Sequence, residues 1–170
     1  MRIIGCGNRG RGDDGAGVLV AERLRELGVE SSGGETSGIT TKICIGEAAE
    51  LMDAWGTEDE VIIIDAVVTG ASAGTVHCWE RELPHVESGA PASTHGFGVG
   101  EAVRLARVLG KSPKSLRVYG IEGRRFDRGA EISPEVRQAV EEVAQQISSE
   151  VRALHCRWRA PCVWPSREKS

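Results

Sequence analysis

The sequence predicts an α/β domain: a three-layer sandwich in which a twisted, mostly parallel sheet of about five strands carries helices on both faces. Three observations predict it. Strand-like and helix-like patterns alternate along the chain in the order β-α-β-α-β-β-α-β-α. Glu60–Ile64 (EVIII) is a nearly continuous apolar run, as expected of a strand covered by helices on both sides. Gly5–Gly17 (GCGNRGRGDDGAG) joins a short apolar run to an amphipathic pattern, and so reads as the turn from a first strand into a first helix. At 170 residues the chain is long enough for one domain with a substantial core.

Taken in order, Arg2–Cys6 is the first strand. Asp14–Leu27 is the first helix, with Val20, Leu24 and Leu27 on one face and Gly28 as its stop. Glu30–Gly38 is polar and rich in Ser and Gly, hence a loop. Thr40–Ile45 is β-branched and reads as the second strand. Gly46–Trp55 follows as a helix whose Trp55 faces the core. After Glu60–Ile64, Thr75–Glu80 is a further strand. The link between these two is too short for a helical crossover, so the later strand is antiparallel or at an edge.

Arg81–Ala92 is a polar loop. Ser93 or Thr94 caps a third helix over His95–Leu109, with Val99, Val103, Ala106 and Leu109 as its apolar stripe. Ser115–Ile121 is the last strand and Glu122–Ile132 a charged loop. Ser133-Pro134 opens the last helix, with Val136, Val140, Val143, Ile147 and Val151 on its inner face. The pattern stops near Val151. Residues 1–151 are therefore read as the domain, and 152–170 as an irregular C-terminal extension.

The bulk numbers exclude several classes. A net charge of −4 gives no nucleic-acid footprint. No apolar run approaches the ~20 residues of a membrane span, and the N-terminus carries no signal-peptide pattern. The expectation is a cytoplasmic, monomeric protein. Five cysteines at irregular spacing fit buried thiols rather than a disulfide frame. His155, Cys156 and Cys162 lack the further ligands of a zinc site.

The glycine-rich loop admits two chemistries. Gly5, Gly7 and Gly10 have the spacing of a dinucleotide-binding turn, a cradle for phosphate. Asp13 and Asp14 follow at once, and carboxylates at a helix start compete with phosphate for the same N–H donors. One aspartate can cap the helix, and Asp13 is placed for that. Asp14 is then free to project toward the strand tips. Asp65 directly follows the apolar run of a central strand, where a carboxylate caps the next turn or serves a site. His95 opens the third helix, as a structural residue or as a ligand. His77 and His85 read as surface residues. Because ligands of such sheets bind at the carboxyl ends of the strands, Asp14, Asp65 and His95 converge there. They would form a partial shell for a divalent transition metal with positions left open.

These residues also carry a resemblance. GCGNRGRGDDGAG at 5–17, IIIDAVVTGASAGTV at 62–76, STHGFGVGEAV at 93–103 and VYGIEGRRFDRGAEISPEV at 118–136 resemble, in order and spacing, the hydrogenase maturation endopeptidases. The resemblance covers about residues 1–150. It implies a mixed sheet between helices, and a peptidase that removes a C-terminal extension from the large-subunit precursor of a nickel–iron hydrogenase after nickel insertion. It implies that Asp14, Asp65 and His95 contact the metal, which the precursor carries, so that the resting peptidase need hold none. Arg9-Gly10-Arg11 departs from the apolar residues common there, and sets two cations at the rim where they would help select the precursor. The other reading is a non-catalytic nickel-sensing or precursor-binding assembly factor using the same three residues.

Overall fold

The computed structural model describes residues 1–29, 38–80 and 96–153. Five strands, β1 (Arg2–Cys6), β2 (Thr40–Cys44), β3 (Glu60–Val67), β4 (Val76–Glu80) and β5 (Ser115–Glu122), form one sheet in the order β2-β1-β3-β5-β4. All neighbours pair in parallel except β4 and β5, which are antiparallel. The mostly parallel sheet and the antiparallel edge strand are as expected, and the short β3–β4 link is the reason for the second.

Four helices cover the sheet: α1 (Ala16–Glu26), α2 (Ala48–Met52), α3 (Gly96–Val108) and α4 (Pro134–Ala153). The alternation of β3 explains the three layers. Ile62 and Ile64 enter a core with Val20 and Leu24 of α1 and Val136, Val140, Val143 and Ile147 of α4. Val61 and Ile63 enter a second core with Leu51, Trp55, Val99, Ala102 and Ala106 on the α2–α3 side. Because both faces of β3 are buried, its sequence cannot alternate in polarity. Trp55 is a core residue as expected, and its indole N–H donates to the Lys111 carbonyl at 3.1 Å.

Three expectations about the helices need correction. The Asp14–Leu27 helix starts later: Gly12–Gly15 form a single 3-10 turn and α1 begins at Ala16. The Gly46–Trp55 helix shrinks to five residues, because Gly46 takes φ +90° and Glu50 folds back to accept the Ile45 N–H at 2.9 Å. The buried stripe of α3 is Val99, Ala102 and Ala106, with Leu109 exposed. Small alanines let that helix sit close to the sheet and displace the larger residues outward. The proposed Ser93 or Thr94 cap, and the extension beyond Ala153, lie outside the described residues. Cys6 and Cys44 are free and buried. Cys78 departs from the expectation of thiols, being disulfide-bonded. Among the described residues no helix is long and apolar enough to cross a membrane.

Two close approaches position the functional edge. A Cβ on Gly17 would overlap the Ile64 carbonyl oxygen and lie 2.5 Å from that of Cys6, so α1 starts in direct backbone contact with the tips of β1 and β3. A Cβ on Gly98 would overlap the Gly46 carbonyl oxygen, which sets the first turn of α3 beside the end of β2. Gly17 and Gly98 therefore serve close packing of α1 and α3 on the ends of the strands. Gly17→Ala is expected to cost about 3 kcal/mol or more, because the overlap is with backbone and no rotamer relieves it. The check is a fall in the urea unfolding midpoint; an unchanged midpoint would contradict the contact.

Candidate active site

β1 lies between β2 and β3, and the chain leaves it by α1 on one face and returns by α2 on the other. The crevice at this reversal opens at the carboxyl ends of β1 and β3, where such sheets take their ligands. Two of the three sequence-predicted residues stand there. Asp14 sits in the 3-10 turn after β1 and is 1% exposed; Asp65 lies one residue beyond the Gly5–Ile64 pair and is also 1% exposed. His95 precedes the first turn of α3 and lies outside the described residues, so its placement is not part of the geometry. His85 and the tail residues His155, Cys156 and Cys162 lie outside it too.

Asp65 has an uncommon environment. Its Oδ1 accepts the Ala66 N–H at 2.9 Å, while Oδ2 is buried with no hydrogen-bond partner among the described residues. Burial pushes its pKa up to about 8; the Ala66 N–H works against this and the neighbouring Asp14 charge adds to it. Near neutrality burial thus holds the carboxyl largely protonated. Cys6 shares the surroundings: burial, and then the Asp65 charge, push its thiol well above the ordinary range. It is a poor nucleophile and a poor ligand. Among the described residues, no group of three or more His, Cys, Asp or Glu is arranged to hold a metal.

Asp13 does something other than the capping expected of it. No side-chain cap bond is made at the 3-10 turn or at α1. Its buried carboxylate instead accepts the backbone N–H groups of Arg124 (2.9 Å), Arg125 (3.0 Å) and Ser133 (2.6 Å) and the Ser133 hydroxyl (2.8 Å). Asp13 thereby fixes the β5–α4 loop against the loop after β1. Burial raises its pKa, but these four donors outweigh that and leave it lowered.

Glu122 was missed by the sequence reading, which placed it in a charged loop. It closes β5, 1% exposed. It accepts the N–H groups of Thr69 (2.7 Å) and Gly70 (2.9 Å) and the Thr69 hydroxyl (2.9 Å), and lies 3.2 Å from His77 Nε2. His77 is accordingly half-buried, stacked on Trp79, rather than a surface residue. Glu122 shapes the β3–β4 loop that follows Asp65. Its signal was the same as that of Asp65, a carboxylate at the end of an apolar strand, had the strand been carried one residue further.

A three-layer α/β domain with a buried acidic pair in its switch-point crevice belongs to the class of α/β folds that take their ligands at the strand tips. Comparison narrows the class. The hydrogenase maturation protease family profile matches residues 46–150, a span that includes positions 65 and 95 and begins after Asp14. The hydrogenase expression/formation protein HupD of Thiocapsa roseopersicina is 30% identical over 145 residues; the match takes in 81% of this chain and 61% of that protein, so this chain spans about three-fifths of its relative's length. Among solved structures, the hydrogenase maturating endopeptidase HybD from E. coli superposes with a TM-score of 0.68 at 22% identity, covering 90% of this chain and 92% of that one. The [NiFe] hydrogenase maturation protease HycI from Thermococcus kodakarensis gives 0.62 at 24%, covering 89% and 91%. These two likenesses bear on the fold. By the family match, the chain belongs to the hydrogenase maturation proteases.

Proposed function

We propose that the protein is an endopeptidase that removes the C-terminal extension of a nickel–iron hydrogenase large-subunit precursor once nickel has been inserted. It would act in the cytoplasm as a monomer. The observation that carries this reading is the buried Oδ2 of Asp65, without a hydrogen-bond donor among the described residues and beside a second buried carboxylate. Two adjacent acids with an orphaned oxygen fit a divalent cation: the ion supplies the missing counter-charge and lets both ionise. The cation is the nickel of the substrate. Asp14, Asp65 and His95, which the chain places just before α3, are its contacts.

Docking of the nickel would set the precursor's scissile bond beside the pair, a gain by proximity. Hydrolysis then needs a water deprotonated as it attacks the carbonyl and a proton returned to the leaving amine. A carboxylate of the pair takes the first proton and supplies the second, in the manner of an aspartic-type, metal-directed peptidase.

The test incubates purified protein with nickel-loaded precursor and follows the mass of the large subunit. The wild type shortens it, and Asp14→Asn combined with His95→Ala slows shortening by at least about 10²-fold. Cleavage at the wild-type rate by that double variant overturns the assigned roles. Binding by the wild type without shortening replaces the peptidase with an assembly factor.

A further inference from the structure

Two loops at the edge of the crevice are strongly basic. Residues 8–12 and 123–130 carry Arg9, Arg11, Arg124, Arg125 and Arg128 against a single acid, Asp127, in a chain whose net charge is −4. They are distant in sequence and joined in space. The Gly129 N–H donates to the Gly10 carbonyl at 2.8 Å, the Asp13 N–H to the Arg125 carbonyl at 2.8 Å, and Arg11 Nε to the Phe126 carbonyl at 3.3 Å. Beneath them the Asp13 carboxylate draws the amides of Arg124 and Arg125 inward. With those amides turned in, the side chains of Arg124, Arg125 and Arg128 stand in solvent, as does that of Arg9. The platform connects directly to the acidic pair: the Asn8 N–H donates to the Asp14 carbonyl at 3.2 Å, and the Asp14 N–H to the Arg11 carbonyl at 3.3 Å.

The side chains of Arg9, Arg124, Arg125 and Arg128 are exposed. Arg9 meets Glu22 at 2.9 Å and Arg124 meets Glu135 at 3.1 Å, but both pairs are solvent-exposed and exchangeable. Among the described residues, Arg125 and Arg128 have no acidic partner. Arg125 and Arg137 also line a cleft of about 490 Å³, together with Ile132, Pro134, Glu131 and Glu141.

We infer that this two-loop platform docks an Asp- or Glu-bearing segment of the protein substrate, holding it across the carboxyl edge of the sheet beside Asp14 and Asp65. The inference rests on the peptidase reading above and adds to it the charge of the segment recognised. The planar guanidinium fork pairs with carboxylates through two parallel hydrogen bonds. A nucleic acid fits less well, because the rest of the chain is acidic and repels a phosphate backbone beyond the two loops.

The experiment measures cleavage of nickel-loaded precursor by the wild type and by Arg124→Glu/Arg125→Glu/Arg128→Glu over a range of salt. The expected result is a KM at least about tenfold higher in the variant at low salt, with kcat unchanged and the salt dependence of KM flattened. Arg125→Glu/Arg128→Glu, which breaks no ion pair, should show the same trend at smaller size and guards against a folding defect. Equal KM values and salt slopes, in an enzyme that does cut, overturn the inference and leave the peptidase reading standing. If the wild type does not cut, the peptidase reading fails and the platform is judged by fluorescence anisotropy with labelled precursor. Weaker binding by the triple variant then supports it, and equal binding overturns it. A DNA oligonucleotide that displaces the precursor at ~0.15 M salt overturns it in favour of nucleic acid.

Discussion

Asp65→Asn is expected to abolish precursor cleavage and, at the same time, to make the protein more stable at neutral and alkaline pH. The sign follows from the raised pKa. Asp65 titrates near 3.8 when exposed and at about 8 in the fold. Between those values the folded state holds a proton that the unfolded state has lost, so stability falls as pH rises through the window. Below about pH 4 both states are protonated and the carboxyl costs nothing. Above about pH 8 the fold carries the full cost of a buried charge facing Asp14. Asparagine keeps the shape, can still accept the Ala66 N–H, and has no charge to bury. The variant's advantage should therefore grow by up to ~1.4 kcal/mol per pH unit across the window and reach a few kcal/mol at its upper end. Urea unfolding of both proteins at several pH values between about 4 and 9 reads it. A stability difference that does not change with pH would mean that Asp65 ionises normally in the fold, and the orphaned carboxyl would lose its significance. The trade is physically sensible: on the proposed function, a carboxyl kept without a partner among the described residues meets its counter-charge when the substrate docks.

What the sequence made legible were the features written in local periodicity. β3 announces itself as EVIII because both its faces are covered, and α4 repeats its apolar positions from Val136 to Val151. The antiparallel edge strand followed from the length of one link. Asp65 could be singled out because a carboxylate at the end of a fully apolar strand is conspicuous. The features that stayed hidden depend on partners far along the chain. Glu122 binds Thr69, 53 residues away, and His77, 45 away. Locally only its place at the end of an apolar strand sets Glu122 apart from the charged residues that follow. The stripe of α3 was misplaced because size, rather than hydrophobicity, decides which of its residues meet the sheet. The basic platform was half visible. Arg9 and Arg11 were noticed beside the acidic pair, but Arg124, Arg125 and Arg128 join them only through hydrogen bonds between distant loops.

Asp13 and Asp14 are adjacent and chemically identical, and substitution should separate their roles. Asp13→Ala is expected to destabilise the protein by about 3 kcal/mol or more, since it leaves three backbone N–H groups and a hydroxyl without their acceptor, at ~1–3 kcal/mol for each donor that water does not reach. Its partners lie 111 to 120 residues away, so no local pattern predicts this, and the loss should spread along the β5–α4 loop. Amide hydrogen exchange at Arg124, Arg125 and Ser133 should accelerate before exchange in the sheet does. The pH dependence runs opposite to that of Asp65. The folded pKa of Asp13 is lowered, so its contribution is complete above the unfolded value and is lost as pH falls through the folded one. Asp13→Asn should therefore cost most near neutrality and approach the wild type in strong acid. Asp14→Asn should spare exchange in the β5–α4 loop. If Asp13→Ala left both the unfolding midpoint and the three amides unchanged, the carboxylate would not be what holds the basic platform in place. The platform's alignment over Asp14 would then need another cause. The expected outcome assigns the first aspartate to building the edge, which leaves the second for the chemistry performed there.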